Sequence, residues 1–204
     1  MSHTGGIFIA IEGVDAVGKR TQTSLLEAWL KLKGLSVRTL SFPAYETAIG
    51  KQIRGFLDGK VAYPPQVRAM LYAANRWEKK AELEAILSNS DATIVDRYTG
   101  SNLAYGVSSG LDLEWLRALD AGLPEPGITL VLDAPLAQTM PRRGRRKDSY
   151  EEDTRLQEHA RRAYLKLAKK LGWTVVDASR GIQEVSDSIH TAVSKAIETR
   201  GRTI

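Results

Sequence analysis

The chain has 204 residues, 43% of them hydrophobic, which suits one globular domain, residues 1–204, with a sizeable core. It contains no cysteine, which excludes a disulfide scaffold, a thiolate metal site and a cysteine nucleophile. Lysine and arginine number 29 against 24 acids, a net charge of +5, yet Arg142-Arg143-Gly144-Arg145-Arg146-Lys147 carries that whole excess, which points to a local anion site rather than a nucleic-acid-binding face.

The longest apolar runs are strand-sized, well short of the roughly 20 residues that span a bilayer, so no membrane partner is expected. Residues 1–6 carry neither the basic nor the apolar region of a signal peptide, and a cytoplasmic location is expected.

In chain order, residues 7–11 form the first short apolar run, and 37–42, 92–96, 128–133 and 174–177 follow as predicted strands. Each is nearly continuous rather than alternating, as a sheet covered on both faces requires. The first gives way to Glu12 and three others end in an aspartate. Between them lie helical periods. Leu25, Leu26, Trp29 and Leu30 make one apolar face closed by Gly34, and Leu156, Ala160, Ala163, Tyr164, Leu167 and Leu171 make another closed by Gly172. Ile182, Val185, Ile189, Val193 and Ile197 repeat the spacing, and Pro64-Pro65 opens a helix predicted to run through about Leu87. The alternation of strand and helix predicts a three-layer α/β fold, a doubly wound parallel sheet of five strands with helices on both faces.

The first strand runs into Glu12-Gly13-Val14-Asp15-Ala16-Val17-Gly18-Lys19-Arg20-Thr21 and then a helix. This is the G-x-x-x-x-G-K half of the P-loop motif in its strand–loop–helix setting. Backbone N–H groups and a helix N-terminus face phosphates there, and Lys19 adds a point charge. Arg20 stands where the motif carries Ser or Thr, whose hydroxyl helps hold Mg²⁺. Either the metal is held through phosphates, waters and carboxylates, or Thr21 supplies the hydroxyl.

Asp96 and Arg97 lie at the C-terminal end of the third strand, where ligands bind in doubly wound sheets. Asp96 is suited to orient a hydrated Mg²⁺ and Arg97 to grip a phosphoryl group in a planar fork. Tyr72 and Arg76 share a helix face and together suit a nucleobase, stacking on it and donating to its edge. A guanidinium only donates, so it favours a keto oxygen and disfavours an exocyclic amine, hence thymine or uracil over cytosine.

Glu12 through Thr21, Phe42-Pro43, Ala74-Asn75-Arg76-Trp77-Glu78, the stretch Asp96-Arg97-Tyr98-Thr99-Gly100-Ser101-Asn102-Leu103-Ala104-Tyr105, and the basic loop ending Asp148-Ser149-Tyr150-Glu151 together resemble the thymidylate kinase family. The likeness runs in order from about residue 7 to 177, and the D-R-Y-x-x-S-N-x-A-Y stretch is its most specific part. The resemblance implies a nucleoside-monophosphate kinase of P-loop type, with ATP on the loop from Gly13 to Thr21 and Mg²⁺ as cofactor. It further implies transfer of the γ-phosphoryl group to dTMP, and a homodimer with no stable nucleic-acid partner. It sets Asp15 near the acceptor sugar and the metal, Phe42 and Tyr72 around the base, Arg76 on the thymine O4 and Arg97 on the acceptor phosphate. Ser101, Asn102, Tyr105 and Glu151 complete that pocket by the same likeness.

Two positions depart from common family patterns: Tyr45 stands where many members have arginine, and Gly106 where glutamine is frequent. Ala16 marks a third difference. Some members carry an arginine there, while others supply arginines from a lid, and this chain resembles the latter through Arg142, Arg143, Arg145 and Arg146. Phosphoryl transfer needs positioned positive charge, and a closing lid at about 141–150 supplies it while excluding water. Two other readings remain open from sequence. One is a related kinase acting on dUMP or a deoxynucleoside. The other is a P-loop ATPase or nucleic-acid-binding protein, which the short basic segment without interleaved aromatics disfavours.

Overall fold

The computed structural model describes residues 6–139 and 154–199. Its strands are β1 (Ile7–Glu12), β2 (Val37–Ser41), β3 (Ala92–Asp96), β4 (Ile128–Asp133) and β5 (Thr174–Asp177), in one sheet of order β2-β3-β1-β4-β5. Every neighbouring pair is parallel. The central strand β1 is buried along its whole length, as its unbroken apolar run requires. Ile7, Ile9 and Ile11 pack into the larger core cluster, whereas Phe8 and Ala10 point into a second one with Leu83, Phe42 and Tyr98. Both faces of the sheet are therefore covered.

The helices among the described residues are α1 (Lys19–Leu32), α2 (Ala48–Leu57), α3 (Pro65–Glu78), α4 (Lys80–Asn89), α5 (Thr99–Ser108) and α6 (Leu113–Leu119). They continue with α7 (Leu136–Thr139), α8 (Thr154–Leu171) and α9 (Ile182–Glu198). α1 lays Leu26 and Leu30, both fully buried, into the larger cluster, each worth about 1.5–3 kcal/mol of apolar burial. Gly34 and Gly172 follow α1 and α8 in left-handed geometry, as expected from sequence.

One expectation changes. The helix predicted from Pro64-Pro65 to about Leu87 is two helices, broken at Lys79 (φ −99°, ψ 4°). α3 packs on α2 and α5 while α4 packs on β3, so the chain must redirect between them. Two successive amphipathic segments differ in which way they face, and periodicity does not reveal that.

The register aligns Ile11 of β1 with Asp96 of β3 and Glu12 with Val131 of β4. The acids that close β1 and β3 thus come together at one edge of the sheet, where the loop to α1 begins.

Candidate active site

Gly13 (φ 137°) and Gly18 (φ 106°) turn the loop between β1 and α1. A Cβ on Gly13 would lie 2.5 Å from the Leu132 carbonyl oxygen, so only glycine fits there. Lys19 is buried beneath the loop, its Nζ donating to the carbonyls of Gly13 (3.1 Å) and Val14 (2.8 Å). Burial, and then the nearby Arg97 charge, lower its pKa to about 8 against the pull of Asp15, Asp96 and Glu12.

Arg97 and Ala16 are the described non-glycine residues with positive φ, 64° and 60°. Such geometry costs roughly 1–3 kcal/mol and concentrates at functional sites. At Arg97 it is held by the backbone N–H donating to the Ile11 carbonyl (2.9 Å), and the next N–H, of Tyr98, donates to Glu12 Oε1 (2.8 Å). The guanidinium then enters the site. Its Nη1 donates to the Gly13 carbonyl and to Ser101 Oγ, both at 3.2 Å, and its Nη2 to Asp15 Oδ1.

Asp15 is engaged on both oxygens. Oδ2 accepts from Gln157 Nε2 (2.6 Å) and from the Tyr105 hydroxyl (3.2 Å), and the Asp15 N–H donates to Gln157 Oε1 (3.2 Å). Burial works to raise its pKa, but Arg97, Lys19 and the donated hydrogen bonds outweigh that and hold it below the usual value. Burial likewise pushes the Tyr105 hydroxyl well above its ordinary value, so it stays a donor. Behind Arg97, the fully buried Glu12 takes the Ser101 hydroxyl (2.6 Å) and the Tyr164 hydroxyl (3.1 Å) on Oε2. Ser101 is thereby fixed as a prop for Arg97.

These groups open onto a cleft of about 480 Å³. Asp15, Phe42, Tyr72, Arg76, Asp96, Arg97, Ser101, Asn102 and Tyr105 all line it, so the acceptor residues proposed from sequence that lie among the described residues converge on one cleft. Arg76 is 3% exposed and clamped by Asp120, with Nε and Nη2 donating at 2.7 to 3.0 Å. That leaves Nη1 without an acceptor among the described residues. Asn102 is committed in part to structure, its Nδ2 donating to the Ala69 carbonyl on α3 (3.2 Å).

Loop residues divide between this cleft and the loop interior. Val14 and Val17 are buried, and Thr21 is exposed in the first turn of α1 and does not line the cleft. Arg20 does line it. Asp96 Oδ1 is buried with no hydrogen-bond partner, an acceptor left open at the strand end. Among the described residues no three acidic or histidine side chains form a metal cage. A divalent cation fits here only with most of its ligands from phosphates and water, and with Asp96 as the open carboxylate.

Residues 11–189 match the thymidylate kinase family model. The human thymidylate kinase is 35% identical to this chain over 202 residues, covering 98% of this chain and 95% of its own length. This chain belongs to the thymidylate kinase family.

The Schizosaccharomyces pombe thymidylate kinase is 34% identical, covering 93% of this chain and 92% of its own length. A solved thymidylate kinase from Candida albicans superposes with a TM-score of 0.83 at 28% identity, over 97% of this chain and 94% of that one. The family is one of nucleoside-monophosphate kinases, and the five-stranded parallel sheet is its fold.

Several partners of these site residues leave no signal in the sequence. Asp120 lies 44 residues from Arg76, and Gln157 lies 142 residues from Asp15, separations at which no local pattern links them. Asn75 appeared only as part of a motif, yet it clamps the loop after β2 by pairing with both Ala44 N (2.8 Å) and Ala44 O (3.2 Å). Arg142, Arg143, Arg145, Arg146 and Glu151 lie outside the described residues.

Proposed function

We propose that this member of the thymidylate kinase family transfers the γ-phosphoryl group of Mg·ATP to dTMP, giving dTDP and ADP and so serving dTTP synthesis. A phosphate oxygen of dTMP attacks the γ-phosphorus, and the bond to the β,γ-bridging oxygen breaks. The observation that carries this reading is that Arg76 and Arg97, the arginines proposed to read the base and grip the phosphate, line one cleft together with Tyr72 and Phe42.

The base lies against Tyr72 and Phe42, and Arg76 Nη1 donates to the thymine O4. Asp120 holds the guanidinium in that orientation and neutralises its charge, so the edge is read by hydrogen bonding. Arg97 spends three N–H bonds on Gly13, Ser101 and Asp15, and its Nε–H and second Nη2–H, without acceptors among the described residues, are proposed to take two oxygens of the acceptor phosphate. Tyr105, Asn102 and Asp15 bound the sugar side, and family resemblance assigns Glu151 to the same part of the substrate. The loop from Gly13 to Thr21, with Val14, Ala16, Val17 and Gly18 between, cradles the ATP phosphates, and Lys19 exchanges its two carbonyl partners for phosphate oxygens.

Mg²⁺, when bound, neutralises charge on the bridging and transferred phosphates. Asp96 would hold it through water, with Asp15, already taken up by Arg97 and Gln157, as a more distant carboxylate. The lid arginines 142, 143, 145 and 146 then close over the transferring group. Replacing all four by Ala is expected to lower kcat by roughly 10²-fold or more while Mg·ADP still binds. Unchanged kcat would remove the lid from the mechanism.

In this reading the chain is one domain with a lid at 141–150, works in the cytoplasm and keeps no stable nucleic-acid partner. No helix among the described residues is long and apolar enough to cross a membrane. A homodimer is supported by α3, which exposes Val67, Met70 and Trp77. Light scattering at twice the chain mass is the expected result.

A further inference from the structure

We propose that Arg20 is a further substrate-contacting residue of this enzyme, a cation at the start of α1 that grips the acceptor's phosphate together with Arg97. The inference rests on the phosphoryl-transfer reading above and deepens it.

The placement is specific. Of the described residues from Glu12 to Thr21, Asp15 and Arg20 line the cleft, while Gly18, Lys19 and Thr21 do not. Arg20 therefore opens towards the acceptor side rather than the donor side of the loop. Two of the other cleft arginines are already matched to carboxylates, Arg76 to Asp120 and Arg97 to Asp15. The Arg20 side chain has no acceptor among the described residues, while its backbone carbonyl accepts from Ser24 Oγ. A guanidinium has five N–H donors and no lone pair to offer a metal, so at this position it cannot take over the role of the hydroxyl that the loop motif usually carries. Its strongest complement is an anion.

A second feature of the same cleft is complementary. Asp96 Oδ1 is buried without a partner at the end of β3, in the cleft that Arg20 also lines. The cleft thus brings together one carboxylate oxygen and one guanidinium that have no partner among the described residues. They have not satisfied each other. A phosphate with its hydrated counter-ion supplies both at once, the anion to Arg20 and the cation's water to Asp96. Ala16 leaves the neighbouring loop position without charge, so Arg20 is the loop's own cation on this side.

Arg20→Met removes the charge from an exposed side chain and should leave the fold intact, which a melting curve verifies. Titration of dTMP, of thymidine and of Mg·ADP into both proteins reads the proposal without relying on turnover. The expected result is dTMP affinity lowered roughly tenfold or more, with thymidine and Mg·ADP each within about threefold of the parent protein. Arg20→Lys should recover part of the loss. A smaller drop for dTMP, or thymidine affinity falling in parallel, would overturn the assignment. So would a loss on Mg·ADP in place of dTMP, which would move Arg20 to the donor phosphates. If the parent protein binds Mg·ADP but neither dTMP nor thymidine, the acceptor reading itself fails, and the two failures are told apart.

Discussion

At the scale of single residues, the site is a set of charges held in place before any substrate arrives. Arg97 is forced into a positive-φ backbone and then propped by Ser101, which Glu12 holds in turn. Enzymes that stabilise charge on a moving phosphoryl group gain most from donors that need no reorganisation, and this chain of contacts supplies that rigidity. Lys19 is the exception, because it is bonded to neutral carbonyls and its pKa has fallen to about 8. Phosphates arriving beside it favour the charged form and raise the pKa, so the complex holds more protons than the free protein near pH 8. Nucleotide binding at that pH should take up about half a proton, and affinity should weaken as pH rises above about 8. Calorimetry in buffers of different ionisation enthalpy measures the uptake, and Lys19→Met should abolish it. Uptake that persists in the variant would mean another group titrates.

At the scale of elements, what matters is how loops and helices are tied to one another around the cleft. Asn75 on α3 pairs with both backbone groups of Ala44, and Thr47 caps α2 while donating to Glu78 at 2.6 Å. This fixes the turn carrying Phe42 and Tyr45 against the helix carrying Tyr72 and Arg76. Asn75→Ala strands the buried Ala44 N–H at a cost of about 1–3 kcal/mol and frees that turn. The expected outcome is a lower melting temperature and a raised KM for dTMP, with Mg·ADP affinity unchanged. A KM for dTMP equal to that of the parent protein would show that the clamp does not shape the acceptor pocket.

The same element explains where sequence reading reaches its limit. All five strands and the helix starting at Pro65 were legible, because continuous apolar runs, strand-end acids and an N-terminal proline are local signals. The break at Lys79 was not, since α3 and α4 differ only in what they pack against. At the site, residue type announced Lys19, Asp96, Arg97, Tyr72 and Arg76, and family resemblance brought in Phe42, Ser101, Asn102 and Tyr105. The groups that orient them, Asp120, Gln157 and Tyr164, come from distant segments and leave no mark in spacing. Positive φ at Arg97 and Ala16 is equally silent, because neither residue type advertises it as glycine does.

At the scale of the whole molecule, one parallel sheet brings the loop after β1 and the strand end of β3 side by side, and everything chemical hangs on that junction. α3, α5 and the turns after β2 and β3 line the cleft beside that junction, and α8 reaches it through the Gln157 contact with Asp15, so the residues proposed to hold donor and acceptor come from different elements on one scaffold. Membership of the thymidylate kinase family agrees with this division. Coupled measurement of ADP release from Mg·ATP, with dTMP, dUMP, dCMP, AMP, GMP and thymidine offered separately, addresses it most directly. Strong turnover with dTMP is expected, weaker turnover with dUMP by the roughly 1–3 kcal/mol that one methyl group is worth, and little with the others. Turnover of dCMP equal to that of dTMP, or of none of the six, would contradict the assignment of Arg76 and of the cleft as a thymidylate site.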